Sequence, residues 1–108
     1  MNTTTKETLK SVMTMAWQFV KKNGYSMSDA LKVAWMNIKL KARLLNGITK
    51  FYFQKVDGSL REAYGTLASG LVPATGDNRR PNPTLQVYFD TEKDEWRCFK
   101  IANLIRIA

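Results

Sequence analysis

The chain has 108 residues, the length of one domain, and 44% of them are apolar, enough for a packed core. It contains no His and one Cys, which excludes His-dependent catalysis and an internal disulfide and argues strongly against a zinc site. No apolar run approaches the roughly 20 residues of a membrane span. We expect a single cytoplasmic domain over residues 1–108, with no metal, no cofactor, no membrane contact and no enzymatic activity.

The positive charge is concentrated in the first half of the chain. The net charge is +8, and residues 1–50 hold nine Lys or Arg against Glu7 and Asp29 alone. Residues 51–108 are nearly balanced, with eight basic and seven acidic side chains. This asymmetry is typical either of a solvated helical face or of a surface that meets a polyanion such as nucleic acid.

Residues 5–22 carry apolar side chains three and four positions apart, a spacing that predicts an amphipathic helix. Lys21 and Lys22 suit its last turn, and Asn23-Gly24 provides a left-handed stop. The positions on the apolar face are Leu9, Val12, Met13, Ala16, Trp17, Phe19 and Val20.

The same spacing predicts a second helix over residues 27–45. Ser26 or Ser28 can cap its start, and Asn46-Gly47 ends it. The side chains expected to be buried are Met27, Leu31, Ala34, Trp35, Ile38, Ala42 and Leu45.

The first 46 residues are therefore predicted to form a helical hairpin with an aromatic seam. Trp17 and Trp35 are expected to pack in that seam, because large residues at helical spacing usually face another element rather than stack on nucleobases. The second helix also carries a basic stripe, defined by Lys32, Lys39 and Arg43, on its opposite side. These three are candidate nucleic-acid contacts.

From Ile48 the apolar period changes from 3.6 to 2, which predicts β-strands. A strand runs to Val56, Asp57-Gly58 is a strong hairpin signal, and a return strand covers residues 60–67. A loop of about sixteen residues follows. Three further strands are predicted around residues 85–89, 96–101 and 104–107, with a short turn at Ala102-Asn103.

Five short strands and one long loop predict a small SH3-like barrel over residues 48–107, so the fold class is α+β. Closing the sheet on itself removes exposed strand edges. The side chains expected to be mostly buried are Phe51, Phe53, Leu67, Leu85, Val87, Phe89, Phe99, Ile101 and Ile105.

The segments FYFQKVDGSLREAYGTL and VYFDTEKDEWRCFKIANLIRI resemble the WYL-like, Sm-like SH3 β-barrel family. The resemblance covers about residues 48–107 and leaves out the helical hairpin. It implies an Sm-like barrel, a phage or mobile-element origin, and a bacterial host cytoplasm. Larger regulators with related domains are thought to sense ligands, including nucleic acid, through a basic and aromatic barrel surface. The tripeptide Trp-Tyr-Leu itself is absent here.

Arg61 and Arg97 are predicted on strands of the same barrel, where two guanidinium groups can hold a phosphate or carboxylate. Alternatively, each pairs with a neighbour such as Glu62, Asp90 or Glu95. Tyr52, Tyr64 and Tyr88 alternate with the apolar set, so outward-facing rings can either stack bases or pack across strands.

Arg79 and Arg80 lie in the long loop, where they either clasp a phosphate backbone or are simply solvated. Three hypotheses of function follow from these features. The first is a nucleic-acid-binding or regulatory protein of a phage. The second is an adaptor that engages an acidic host protein, and the third is a binder of a small anion such as a nucleotide.

Overall fold

A computed structural model describes residues 5–73 and 82–108 of the chain. Two helices are followed by five antiparallel strands, which confirms the predicted α+β class. The helices are α1 (Thr5–Asn23) and α2 (Met27–Asn46). Among the described residues, no helix combines the length and hydrophobicity that a membrane crossing requires.

The helix ends follow the predicted signals. Gly24 has a φ of 71°, the left-handed conformation that stops α1. Ser26 caps α2 by accepting a hydrogen bond from the amide of Asp29, 3.2 Å away. The three residues between the helices force α1 and α2 to lie side by side and antiparallel.

The hairpin buries a narrower face than its apolar pattern predicts. Ala16, Phe19 and Ala34 are fully buried, but Trp17 is 49% exposed and Trp35 is 39% exposed. The prediction that both tryptophans pack in the seam is therefore wrong. The small side chains of Ala16 and Ala34 let the two helices approach closely. The indole of the Trp that follows each Ala lies outside the contact between the helices. Four other predicted core residues are also exposed: Leu9, Met13, Ala42 and Leu45.

The strands lie within one or two residues of the predicted bounds. They are β1 (Thr49–Gln54), β2 (Leu60–Thr66), β3 (Leu85–Asp90), β4 (Glu95–Lys100) and β5 (Leu104–Ile107). A 3-10 turn, Ile101–Asn103, joins β4 to β5. In the β1–β2 hairpin, Gly58 adopts a φ of 91° and Asp57 accepts the amide hydrogen of Ser59.

The strand order in the described sheet is β4-β3-β2-β1-β5, so the outer strands β4 and β5 do not pair with each other and the expected closure of the sheet on itself is not seen between them. The contact between β2 and β3 is short. Only Gly65 with Asp90 and Thr66 with Phe89 are in register, because the two strands overlap at their C-terminal ends alone. A pocket lies on one side of the barrel, lined by residues of β1, β2, β3 and β4.

The main core lies between α2 and the inner face of the sheet. Phe51 and Tyr88 meet edge to face at 5.1 Å between ring centroids, and Phe53 stacks on Phe99 at 5.0 Å. Leu40 and Leu44 of α2 cover these rings on the side of the core opposite the sheet. Such aromatic contacts add about 0.5–1.5 kcal/mol each beyond their buried area.

The residues of β3 that face this core are not the alternating set Leu85, Val87 and Phe89 that the sequence predicts. Tyr88 is 1% exposed and belongs to the main core, while Leu85 and Val87 are only half-buried on the other face. Phe89 is buried as predicted, but it packs against Trp96 and not with the other core rings. The cross-strand register places Tyr88 opposite Arg97, on the inner side.

The register of β5 also departs from strict alternation. Tyr52 pairs with Arg106 and Phe53 with Leu104, so Ile105 is the extra residue of a bulge. Leu104 is buried and Ile105 is 47% exposed, which makes the predicted burial of Ile105 wrong.

Two polar anchors dock the helical hairpin on the barrel. The buried Asn37 side chain donates to the carbonyl of Ile101 at 2.8 Å. The Tyr25 hydroxyl donates to the carbonyl of Ala102. Since both acceptors lie in the 3-10 turn, this turn fixes the position of the helices relative to β4 and β5.

Candidate nucleic-acid interface

The outer face of the sheet carries aromatic and basic side chains from three adjacent strands. The β1–β2 register places Lys50 opposite Tyr64 and Tyr52 opposite Glu62, and the β1–β5 register places Arg106 opposite Tyr52. These residues alternate with the buried Phe51 and so point away from the core. We call the group Lys50, Tyr52, Glu62, Tyr64 and Arg106 the tyrosine–lysine face.

Lys50 lies at the centre of this face. Its ammonium nitrogen is 5.7 Å from the centroids of both the Tyr52 and the Tyr64 rings, within cation–π range. A hydrogen bond with the Tyr52 hydroxyl, together with the charge of Glu62, raises the pKa of Lys50 to about 12. The Lys50 side chain is therefore a permanent cation between two aromatic rings.

Arg106 and Glu62 complete the face from its two sides. The guanidinium carbon of Arg106 lies 4.7 Å from the Tyr52 centroid. Glu62 accepts from the Tyr52 hydroxyl at 3.1 Å and pairs with Lys50 at 3.4 Å. Because the side chains of both Lys50 and Glu62 are substantially exposed, this ion pair is weak and Glu62 can be exchanged for another anion.

The tyrosine–lysine face continues towards the C-terminal end of α2. A shallow depression of about 370 Å³ contains both Lys50 and Arg43. Arg43 is the last residue of the predicted basic stripe, and Lys32, Lys39 and Arg43 are all exposed. The structure thus connects the stripe on α2 with the aromatic sheet surface through Arg43.

Arg61 and Arg97 meet, as predicted, but they meet around an acid. Asp90 is fully buried, and its Oδ2 lies 2.8 Å from Nη2 of Arg61 and 3.8 Å from Nε of Arg97. Arg97 also pairs with Glu95 through Nη2. We call these four residues the Asp90 cluster.

Asp90 has further partners that tie it to the local fold. Its Oδ1 accepts the amide hydrogens of Glu92 and Lys93, which shapes the turn after β3. The cluster therefore matches the alternative in which each arginine pairs with a neighbouring carboxylate. The binding of an added anion by Arg61 and Arg97 stays a prediction.

A pocket of about 660 Å³ lies beside the Asp90 cluster and is lined in part by Arg61 and Arg97. Apolar groups of Phe53, Leu85, Tyr88 and Phe99 line it, and Lys55, Arg61, Arg97 and Lys100 stand among its polar groups. Burial raises the pKa of the Tyr88 hydroxyl above its usual value, although the charge of Arg61 opposes that rise.

The other predicted site residues have different outcomes. Tyr64 is half-buried on the tyrosine–lysine face, beside Lys50. Arg79 and Arg80 lie outside the described residues. Sequence reasoning left Lys50 and Arg106 out of the candidate site, although the same alternation that placed Tyr52 outward also applies to Lys50.

Comparison with known proteins supports the fold. The profile of the family described as WYL_2, Sm-like SH3 beta-barrel fold, matches residues 37–105. An Enterobacteria phage T4 protein, described as an uncharacterized 11.5 kDa protein in the Gp31-cd intergenic region, is 33% identical over 82 residues. That alignment covers 70% of this chain and 79% of the phage protein. No solved structure matches. The family match begins within α2, at Asn37, and so extends beyond the region of the predicted resemblance.

Proposed function

We propose that this protein, which belongs to the WYL_2 family with an Sm-like SH3 beta-barrel fold, binds single-stranded nucleic acid through its tyrosine–lysine face. The observation that carries the proposal is the position of the Lys50 ammonium between the Tyr52 and Tyr64 rings. A binding role without catalysis is part of the same proposal, and any effect on transcription or on a host would act through this binding.

The chemistry of the face suits an unpaired strand better than a duplex. Aromatic rings and guanidinium planes stack on bases only when those bases are splayed out, as they are in single strands. Tyr52, Tyr64 and Arg106 offer such planes within one sheet surface. Lys50 and Arg43, which share one depression, are placed to hold the phosphates that link the stacked bases.

Glu62 opposes an incoming phosphate, and this opposition gives a specific expectation. Its carboxylate already neutralises part of the Lys50 charge. A bound phosphate must replace Glu62 as the ion-pair partner of Lys50. Removal of the Glu62 charge should therefore strengthen the binding of nucleic acid. We expect Glu62→Gln to strengthen the binding of single strands by a few fold and no more, because the ion pair that it removes is exposed and weak.

The basic test uses fluorescein-labelled dT12 and rU12 and measures anisotropy between 50 and 300 mM KCl. Three phosphate contacts, from Arg43, Lys50 and Arg106, predict a log–log salt slope of about −2, at about −0.7 per contact on a single strand. Tyr52→Leu and Tyr64→Leu keep the side chains apolar but remove the stacking planes. Each should weaken binding by about 1–3 kcal/mol at constant salt.

A matched control separates this site from the general attraction of a cationic protein for nucleic acid. The site variant changes Arg43, Lys50 and Arg106 to Gln. The control variant changes three exposed lysines elsewhere on the barrel to Gln: Lys55, Lys93 and Lys100. The site variant should lose most of the salt slope and the control should keep it. Equal losses in both variants, or unchanged binding in the two Tyr→Leu variants, would contradict the proposal.

The basic stripe makes a separate prediction for duplex DNA. If Lys32, Lys39 and Arg43 contact three phosphates, the slope on a duplex is about −2.7, and changing all three to Gln removes it. Lys32→Gln with Lys39→Gln leaves the tyrosine–lysine face intact. Loss of duplex binding with full retention of dT12 binding would show that the two surfaces act on different nucleic acids.

A further inference from the structure

The two helices repeat one pattern eighteen residues apart. Residues 13–21 read MTMAWQFVK and residues 31–39 read LKVAWMNIK, with Ala-Trp at the same place and Lys four residues after each Trp. The burial of the two copies also matches: each Ala is fully buried, each Trp is exposed and each Lys is exposed.

This repetition places both tryptophans on the same side of the hairpin. Two adjacent antiparallel helices that bury equivalent positions are related by an approximate two-fold axis. This axis passes between the helices and is perpendicular to the plane that contains them, so equivalent side chains lie on the same side of that plane. The axis maps Trp17 onto Trp35 and Lys21 onto Lys39. Since α2 buries Leu40 and Leu44 against the sheet core, the exposed tryptophans face away from the sheet.

The apolar surface on that side is more than two isolated side chains. Leu9, Met13 and Trp17 follow each other at four-residue intervals, and all are between 41% and 49% exposed. The axis sets this ridge of α1 beside Trp35 on α2, so the groove between the helices has apolar walls. We call the group Leu9, Met13, Trp17 and Trp35 the tryptophan face.

The charges around the tryptophan face are mostly positive. The exposed charged residues of α1 and α2 are Lys6, Lys10, Lys21, Lys22, Lys32, Lys39, Lys41 and Arg43, against Glu7 and Asp29. Lys21 and Lys39 lie one turn beyond the two tryptophans, and Lys32 lies one turn before Trp35. A second copy of this chain would bring like charges together, whereas an acidic helix would meet opposite charges on both sides of its apolar stripe.

We infer that the tryptophan face is a docking groove for an acidic amphipathic helix of another protein. A third helix laid between two antiparallel helices presents apolar residues at spacings of three, four and seven to the groove, with carboxylates along its flanks. The inference is independent of the proposed single-strand site, because Tyr52 and Tyr64 take no part in it, whereas Lys32 and Lys39 belong both to the flanks of the groove and to the basic stripe.

The direct test titrates the protein with a synthetic 20-residue helix that carries Leu at every third and fourth position and Glu at most others. Fluorescence reports the binding, because the exposed indoles of Trp17 and Trp35 should shift to the blue when covered. The matched control peptide has the same composition with the Leu and Glu order scrambled. We expect saturable binding of the amphipathic peptide at 150 mM salt and at least about tenfold weaker binding of the scrambled one.

Two protein variants test the residues. Lys21→Glu with Lys39→Glu should weaken the binding of the amphipathic peptide by about tenfold or more, whereas Lys55→Glu with Lys93→Glu, equal in charge but on the barrel, should change it by less than about threefold. Trp17→Ala with Trp35→Ala, followed by anisotropy of a labelled peptide, should lose about tenfold or more. A thermal melt of each variant verifies that it is folded.

Several outcomes would overturn the inference. Equal binding of the amphipathic and scrambled peptides, or equal effects of the two charge-reversal variants, would show general charge attraction only. If the tryptophan variant instead lost binding to duplex DNA, or to vesicles rich in anionic lipid, while keeping the peptide, the occupant would be of a different class. Tyr52→Leu should leave peptide binding unchanged, so failure of the proposed nucleic-acid site and failure of this groove give different results.

Discussion

The Asp90 cluster and the tyrosine–lysine face contain similar side chains in very different surroundings. In the cluster, Arg61 faces the interior and pairs at 2.8 Å with an acid that has no exposed surface. On the tyrosine–lysine face, Arg106 lies over an aromatic ring, and the one acid present is exposed. A guanidinium already held by a buried carboxylate supports the fold, whereas one held over a ring remains accessible to a phosphate.

This comparison separates two roles for the basic residues of this barrel. Whether a basic side chain is accessible to a ligand depends on which face of the sheet it occupies. Adjacent residues of one strand lie on opposite faces. Substitutions on the inner face should therefore change the free energy of unfolding, and substitutions on the outer face should change ligand binding.

The largest expected effect comes from adjacent residues of β1. Phe53→Ala removes a buried ring that stacks on Phe51 and Phe99, and it should lower the free energy of unfolding by about 3–5 kcal/mol. Tyr52→Ala, one residue earlier on the outer face, should cost about 1 kcal/mol or less. Urea unfolding measures both. Similar losses in the two variants would break the distinction between the faces.

The next effect tests whether Arg61 supports the fold or binds an anion. Arg61→Ala leaves Asp90 buried with fewer partners, so we expect a loss of about 2–4 kcal/mol, while Arg106→Ala should cost less than about 1 kcal/mol. Thermal and urea unfolding, with phosphate and nucleotide titrations of both variants, give the answer. Unchanged stability together with lost anion binding would make Arg61 a ligand residue.

A smaller effect is expected at Gly65, which makes room for the inner-face ring of Tyr88. A Cβ added at Gly65 would lie 2.5 Å from Cδ2 of Tyr88, which is too close, and the core must shift to accept it. Gly65→Ala should therefore cost about 1–3 kcal/mol. Gly70→Ala is the control, because no atom of residues 5–73 or 82–108 lies within 4 Å of its added Cβ. Equal stability of the two variants would show that the Tyr88 ring moves easily.

The smallest effect is a dependence on pH. Burial raises the pKa of Tyr88 above its ordinary value of 10.0, so the folded state holds this proton at a pH where the unfolded state releases it. The stability that depends on the neutral hydroxyl is fully present below pH 10 and is lost as the pH rises above 10.

Urea unfolding of the wild type and of Tyr88→Phe at pH 8 and pH 10.5 measures this dependence. The wild type should lose more stability between the two values than the variant does, by up to about 1 kcal/mol. Lys50→Met provides a comparison on the outer face. The pKa of Lys50 is raised to about 12, so the stability that depends on its positive charge is lost only at a higher pH than the stability that depends on Tyr88. Parallel pH profiles of the wild type and Tyr88→Phe would place the hydroxyl in contact with water.

The amino-acid sequence determined the local structure of this protein. The bounds of both helices follow from apolar spacing with Gly24 and Ser26 at their ends, and the first hairpin follows from Asp57-Gly58. These signals are local, because each depends on backbone conformations and hydrogen bonds within a few residues. The succession of five strands along the chain followed from the alternation of apolar residues, and the family of the barrel was predicted from the resemblance of two segments.

Only the tertiary structure decided which faces are buried. In β3 the alternation favours Leu85, Val87 and Phe89 as the buried set, yet the alternate residues Tyr88 and Asp90 are buried on the inner face. Pairing with β4 places Tyr88 opposite Arg97, on the side of Phe51. In the helices the apolar arc is wider than any one contact, and close packing at Ala16 and Ala34 leaves the tryptophans exposed. The candidate surfaces depend on these choices, because they bring together residues far apart in the chain, and long-range packing sets them.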